Sequence, residues 1–168
     1  MSLTLINTTS STTANSYVSL ATAGLYIEEN IHVSSTWASL STSDREASLI
    51  YATSLLDTQV SWMGLKASST QALEWPRTDC YDRNEYSVDD ASIPAEIQRA
   101  TSFYAYFLSQ ENRVDEDDTF GFKSLKAGSL AMVIDKYDRK ETMPNTVWDM
   151  IKWYGTISGG MARTLKRK

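Results

Sequence analysis

Gln71-Ala72-Leu73-Glu74-Trp75-Pro76-Arg77-Thr78 lies between two helix-period blocks, and its reading sets the layout on either side. The residue before a proline is pushed out of the α region and the proline nitrogen has no hydrogen to donate, so Trp75-Pro76 makes an extended corner. The Trp75 indole can anchor that corner to a core. Upstream, Ser43 and Glu46 have the spacing of a capping box, with Asp44 near the positive end of the helix dipole. Ala47, Ile50, Tyr51 and Leu55 then form one stripe, widened by Leu49, Ala52 and Leu56, which predicts a helix buried on more than one side. Downstream, a polar loop from Asp79 to Ser92 carries Tyr81, Tyr86 and Val88. Pro94 then opens a helix with Ile97, Ala100, Tyr104, Phe107 and Leu108 on one face and Phe103 beside it.

Farther from the corner the patterns shorten. Residues 2–16 are mostly Ser, Thr and Asn with Leu3, Leu5 and Ile6, which predicts an extended N-terminal arm over 1–15. Ser19 is placed to cap a first helix, with Leu20, Ala23, Gly24, Ile27 and Ile31 on one face. After the acidic run Asp115-Glu116-Asp117-Asp118 the period changes to two. Leu130, Met132 and Ile134 alternate with Ala131, Val133 and Asp135, and Ala127-Gly128-Ser129 supplies turn residues, so a β-hairpin is expected within about 120–137. Pro144 starts a last short helix with Val147, Met150, Ile151 and Tyr154 on one face. Gly155, Gly159 and Gly160 break it before a basic tail over 158–168. The fold class expected is mainly α: a helical bundle of about four helices over 16–157, with a β-hairpin insertion and extended N- and C-terminal arms.

At 168 residues the chain is long enough for one domain with a real core, and 5 Trp, 9 Tyr and 4 Phe supply aromatic burial. The net charge is −5, from 16 basic and 21 acidic residues. That balance gives the body no electrostatic basis for tight non-specific nucleic-acid binding, which depends on neutralising phosphates. The charge is segregated, however. Arg163, Lys166, Arg167 and Lys168 cluster at the C-terminus and leave 12 basic residues against 21 acidic ones elsewhere. Cys80 is the only cysteine, so no internal disulfide forms and a reducing compartment is the natural reading. No apolar run has the length of a membrane span, and the N-terminus lacks the pattern of a secretory leader.

Candidate chemistry is sparse. His32 is the only histidine, so any Ser-His-Asp or Cys-His arrangement would have to form around it, and Cys80 lies in a loop without a local motif. The 115–118 run reads as a solvated acidic loop or, as a third and weaker reading, as the cation site of a metal-dependent enzyme; it lacks the glycine and distal glutamate of a calcium loop, and Gly155 to Gly160 lacks the Lys-Ser/Thr pair of a phosphate loop. No catalytic residue, metal site or cofactor is expected. Trp62 to Arg77 interleaves aromatics with Lys66 and Arg77. It can be read as core and corner, as a base-stacking platform for single-stranded DNA, or as a subunit contact. The basic tail is either a solubilising end or a glycine-hinged arm for an acidic partner surface. The hairpin either folds on its own bundle or lends its edges to a neighbouring chain.

From about Asn15-Ser16-Tyr17-Val18-Ser19 to about Val133, and most densely at Gln71 to Thr78 and at Ile93 to Ala100, the chain resembles the head–tail connector or adaptor subunits of tailed phages. Members of that family are often labelled DnaT-like single-stranded DNA-binding proteins. The resemblance implies a non-enzymatic virion protein, assembled in the host cytoplasm. It would form a homo-oligomeric ring, typically a dodecamer, beneath the portal protein, with packaged DNA passing through its channel. The ring would be a platform for tail, stopper or tail-terminator proteins, with no membrane involved. On this reading Gly159, Gly160, Met161, Arg163, Leu165, Lys166, Arg167 and Lys168 engage the portal. Phe122, Leu125, Leu130 and Met132 make the subunit or tail-side contact, and Trp75 and Pro76 form the structural corner. The alternative, which the label suggests, is a single-stranded DNA-binding replication accessory protein.

Overall fold

The computed structural model describes residues 3–114, 124–127, 130–133 and 141–158, with side-chain environments for 3–114 and 141–158. Within them the protein is mainly helical: α1 (Leu20–Glu28), α2 (Ser34–Ser39), α3 (Thr42–Gln59), α4 (Ala95–Gln110) and α5 (Asn145–Ile151). Three two-stranded antiparallel sheets accompany the helices. They pair β1 (Val60–Trp62) with β6 (Gly155–Ile157), β2 (Leu65–Lys66) with β3 (Arg77–Thr78), and β4 (Ser124–Ala127) with β5 (Leu130–Val133). No described helix is long and apolar enough to cross a membrane.

α4 is the centre of the bundle, packing against α1, α3 and α5. It buries Ile97, Ala100, Phe103 and Tyr104, together with the small residues Thr101, Ser102 and Ala105, so that neighbouring helices approach on two sides. Thr101 and Ser102 turn their hydroxyls back to the carbonyls of Ile97 and Gln98, which satisfies polar groups that burial would otherwise strand. Full burial of a large apolar side chain stabilises by roughly 1.5–3 kcal/mol. The buried set includes Ile27, Leu49, Leu56, Ile97, Val147 and Ile151, drawn from α1, α3, α4 and α5.

The α3 cap differs from the expectation. Ser41, two residues before Ser43, is the N-cap: its hydroxyl accepts from Asp44 N and bonds the Asp44 carboxylate at 2.6 Å. Asp44 therefore takes the place expected of Glu46. The α3 core face is Leu49, Ala52, Thr53, Leu55 and Leu56, and Tyr51 is turned outward. At α1, Ser19 caps by accepting from Thr22 N, and Ala23 and Ile27 are buried. Ile31 lies beyond the helix end and is 81% exposed, because the chain turns there into α2, a helix whose short Ser-Thr-rich sequence gives no periodic signal.

The hairpin forms with Leu125 opposite Met132 and Ala127 opposite Leu130; Phe122 lies outside the described residues. α5 ends at Ile151, and Gly155 starts β6, which returns to pair with the strand continuing directly from α3. A Cβ on Gly155 would run into the Ser61 carbonyl and the Val60 side chain, so glycine lets the two strands close. The N-terminal segment folds back on itself. Asn15 accepts from Ile6 N at 2.7 Å and donates to Thr4 O at 2.9 Å, and Ser11 O accepts from Ala72 N at 3.0 Å.

Candidate interaction surfaces

The stretch 71–78 is a buried polar knot. Trp75 is 1% exposed and meets Trp62 and Tyr154 edge to face at 5.8 and 5.7 Å between ring centroids. The Trp75–Pro76 peptide bond is cis. Gln71 is buried. Its Oε1 accepts from Ser68 N, and its amide donates to the carbonyls of Leu73 and Pro76. Arg77 is buried as well, with every guanidinium nitrogen engaged: Nε on Met63 O at 2.7 Å, Nη2 on Gly64 O at 2.8 Å, and Nη1 on Glu74 O and the Glu74 carboxylate. Gly64, at φ +72°, makes the turn that presents those carbonyls, and a Cβ there would strike the Thr78 carbonyl oxygen.

Behind the knot, Asp57 at the end of α3 accepts from the Tyr17 hydroxyl in a short contact and from Glu74 N at 3.2 Å. Burial pushes its pKa up to about 6, partly offset by these two donors. Burial and the Asp57 charge together hold the Tyr17 hydroxyl well above its usual value. One carboxylate thus ties the N-terminal segment, α3 and the corner together. A base-stacking platform over Trp62 to Arg77 is not formed, because both indoles are inside the protein and the Arg77 guanidinium is fully occupied.

The described cations are largely neutralised within the chain. Side chains are described for seven lysines and arginines and for fifteen carboxylates. Lys66 and Arg77 pair with Glu74, Arg99 with Glu29, Arg113 with Glu111, and Lys152 with Asp149. Large exposed apolar side chains include Leu3, Leu25, Ile31, Tyr51 and Val114 and, around the small sheets, the loop after β3 and the turn after α5, Met63, Leu65, Tyr81, Tyr86, Trp153 and Ile157.

A cleft of about 300 Å³ opens on this side, between Asp82, Arg83 and Asn84 of that loop, Glu96 in the first turn of α4, and the end of α5 with Asp149, Met150, Trp153 and Tyr154. The Arg83 guanidinium lies 5.7 Å from the centroid of the Trp153 ring. Tyr154 donates its hydroxyl to Glu96 at 3.2 Å, and burial, followed by the Glu96 charge, raises its pKa. No sequence pattern announced this cleft. Its carboxylates are far apart along the chain, and the packing of α5 on α4, with the return of β6 to β1, brings the end of α5 beside the loop.

His32 is exposed in the α1–α2 turn, and Cys80 is buried and free. Among the described residues no group of His, Cys, Asp and Glu is arranged to hold a metal ion. The acidic run 115–118 and the tail residues Gly159, Gly160, Met161, Arg163, Leu165, Lys166, Arg167 and Lys168 lie outside the described residues.

The sequence matches, over residues 1–167, the family described as "Putative DnaT-like ssDNA binding protein". The chain belongs to this family. No curated protein matches it, and no solved structure does. The family's description names single-stranded DNA and says nothing of a virion.

Proposed function

We propose that this DnaT-like chain works by docking on other macromolecules without catalysing a reaction, as a structural subunit of a head–tail connector ring on a phage portal. The observation that carries the protein-docking reading is the division of its surface. Five of the seven described cations are held by the chain's own carboxylates, while aromatic and aliphatic side chains stand exposed, among them Met63, Leu65, Tyr81, Tyr86, Trp153 and Ile157 around the small sheets, the loop after β3 and the turn after α5. A surface of that kind favours contact with protein over phosphate. The virion placement rests on the sequence resemblance. In this reading the 159–168 tail engages the portal, and the hairpin residues Phe122, Leu125, Leu130 and Met132 face a neighbouring subunit or a tail-side protein. A ring built this way uses two different surfaces of one chain and closes only if the subunit rotation suits it.

The test is to mix the purified protein with portal assemblies and image them. A ring of added density at the portal vertex is expected, and it should vanish when the four tail cations are neutralised. Portals that stay bare with the unaltered protein defeat the reading.

The family description favours a second reading, single-stranded DNA binding. The basic tail is the segment that suits it, since the described body is strongly acidic. This reading expects the isolated protein to bind oligonucleotides with an affinity that falls steeply with salt, by a slope of about −0.7 per phosphate neutralised. Tight oligonucleotide binding in moderate salt, with portals ignored, would establish it over the connector reading.

A further inference from the structure

We propose that the cleft between the 82–84 loop and the end of α5 receives a lysine or arginine side chain from segment 161–168 of a second copy of this chain. The inference rests on reading the tail as a docking arm, and it supplies the surface that a tail not engaged on another partner would occupy. The cleft has the walls a long cationic side chain requires. Asp82, Glu96 and Asp149 bring carboxylates from three separate parts of the chain, each with one oxygen met from within (Asp82 by the Asn84 and Tyr86 N–H groups, Glu96 by the Tyr154 hydroxyl, Asp149 by Lys152), and Met150 and Trp153 offer apolar surface for the methylene stem. Its volume of about 300 Å³ is at the lower end of the range for ligand pockets. The protein itself shows what the Trp153 face accepts, because the Arg83 guanidinium and the Lys152 ammonium lie 5.7 and 6.0 Å from the ring centroid. Arg83 is exposed and has no carboxylate partner among the described residues, so an incoming cation can take its place at little cost.

The occupant follows from charge and chain path. Met161, Arg163, Leu165, Lys166, Arg167 and Lys168 combine cations with apolar side chains, the complement of the cleft. The chain leaves the cleft wall at Tyr154 and is led away along β6. It is still held at Ser158, whose N–H donates to Gln59 O at 2.6 Å. The remaining residues, 159–168, span up to about 33–36 Å when extended, enough to reach a neighbouring domain of this size. Filling its own cleft would require the tail to reverse the direction that β6 gives it, and filling a neighbour's joins two different surfaces in a head-to-tail contact.

The experiment uses full-length protein in analytical ultracentrifugation at low and high salt, with circular dichroism confirming each variant's fold. Asp149→Lys and Trp153→Ala, both at exposed positions, alter the cleft. Changing Arg163, Lys166, Arg167 and Lys168 together to Gln neutralises the tail. The unaltered protein should associate with rising concentration at low salt and dissociate at high salt. Asp149→Lys alone and the neutral-tail variant alone should each remain monomeric. Their equimolar mixture should form a one-to-one pair, because one retains the tail and the other the cleft. Trp153→Ala should lose self-association as Asp149→Lys does. The proposal is overturned if the unaltered protein is monomeric throughout, if its association survives either set of changes, or if the mixture does not pair. It is equally overturned if neutralising the tail changes the intrinsic fluorescence of the otherwise unaltered chain but not that of Trp153→Ala while these proteins are monomeric, since the tail would then occupy its own cleft. Portal docking is scored separately: portals left bare by the unaltered protein, beside its intact self-association, would count against the connector reading alone.

Discussion

The corner and the cleft are made of the same residue types and use them in opposite ways. In the corner, Trp75 is buried and Arg77 donates to three backbone carbonyls and a carboxylate. In the cleft, Trp153 is 47% exposed and Arg83 lies on its face without an ion pair among the described residues. The two are in contact through Tyr154, whose ring meets Trp75 edge to face and whose hydroxyl reaches Glu96 in the cleft wall. An arginine beside a tryptophan is therefore not a nucleic-acid signal by itself. What decides is whether its hydrogen-bond donors are already occupied by the fold.

The comparison can be broken most severely at Gly64. Gly64→Ala places a Cβ against the Thr78 carbonyl at a φ that L side chains rarely adopt, and backbone cannot yield as a side-chain tip can. This variant should lose cooperative folding or suffer the largest fall in melting temperature of any corner change, read by circular dichroism.

Trp75→Ala comes next. It removes a fully buried indole and its two ring contacts, at an expected cost of about 3–5 kcal/mol in urea unfolding. Trp153→Ala should stay within about 0.5 kcal/mol of the unaltered protein, as exposed substitutions usually do. Comparable losses from the two would erase the distinction drawn between corner and cleft.

Asp57 sharpens the corner's side of the comparison through pH. Its folded-state pKa of about 6 lies above the ordinary 3.8, so the folded protein binds this proton more tightly than the unfolded chain. The Asp57 contribution is therefore most favourable below about pH 4 and is lost as pH rises toward 6, by up to about 3 kcal/mol. Asp57→Asn should flatten this dependence, measured as the difference between the two proteins' unfolding free energies from pH 4 to 7. An unchanged difference across that window would mean Asp57 is not held as the corner geometry implies. The smallest effect belongs to Arg83→Leu, which should leave stability within about 0.5 kcal/mol, since an exposed cation–π contact contributes about 0.5–1 kcal/mol and an apolar side chain can still cover the ring.

The helices were legible wherever the local signal is strong. Ser19 before Leu20 and Pro94 before Ala95 mark two starts, and the spacing of Ile97, Ala100 and Tyr104 gives the central buried face. The misreadings occurred where several serines competed for one role. In Ser41-Thr42-Ser43, local spacing favoured Ser43 with Glu46, while packing set the helix to begin one residue after Ser41. Tyr51 fits an apolar stripe on paper, yet Leu49, Ala52 and Thr53 are the side chains that meet the other helices. Strands of two or three residues such as β2, β3 and β6 carry too few positions for any period to show.

By itself the sequence determined a mainly helical chain with a hairpin and the separation of an acidic body from a basic end, because caps, helical spacing, turn residues and charge are local or additive properties. Only the tertiary structure decided that Arg77 is enclosed and Arg83 is open, and that Asp82, Glu96 and Asp149 share a cleft. Those outcomes depend on which distant segments pack together, above all β6 on β1, and contacts between positions nearly a hundred residues apart leave no period in the sequence.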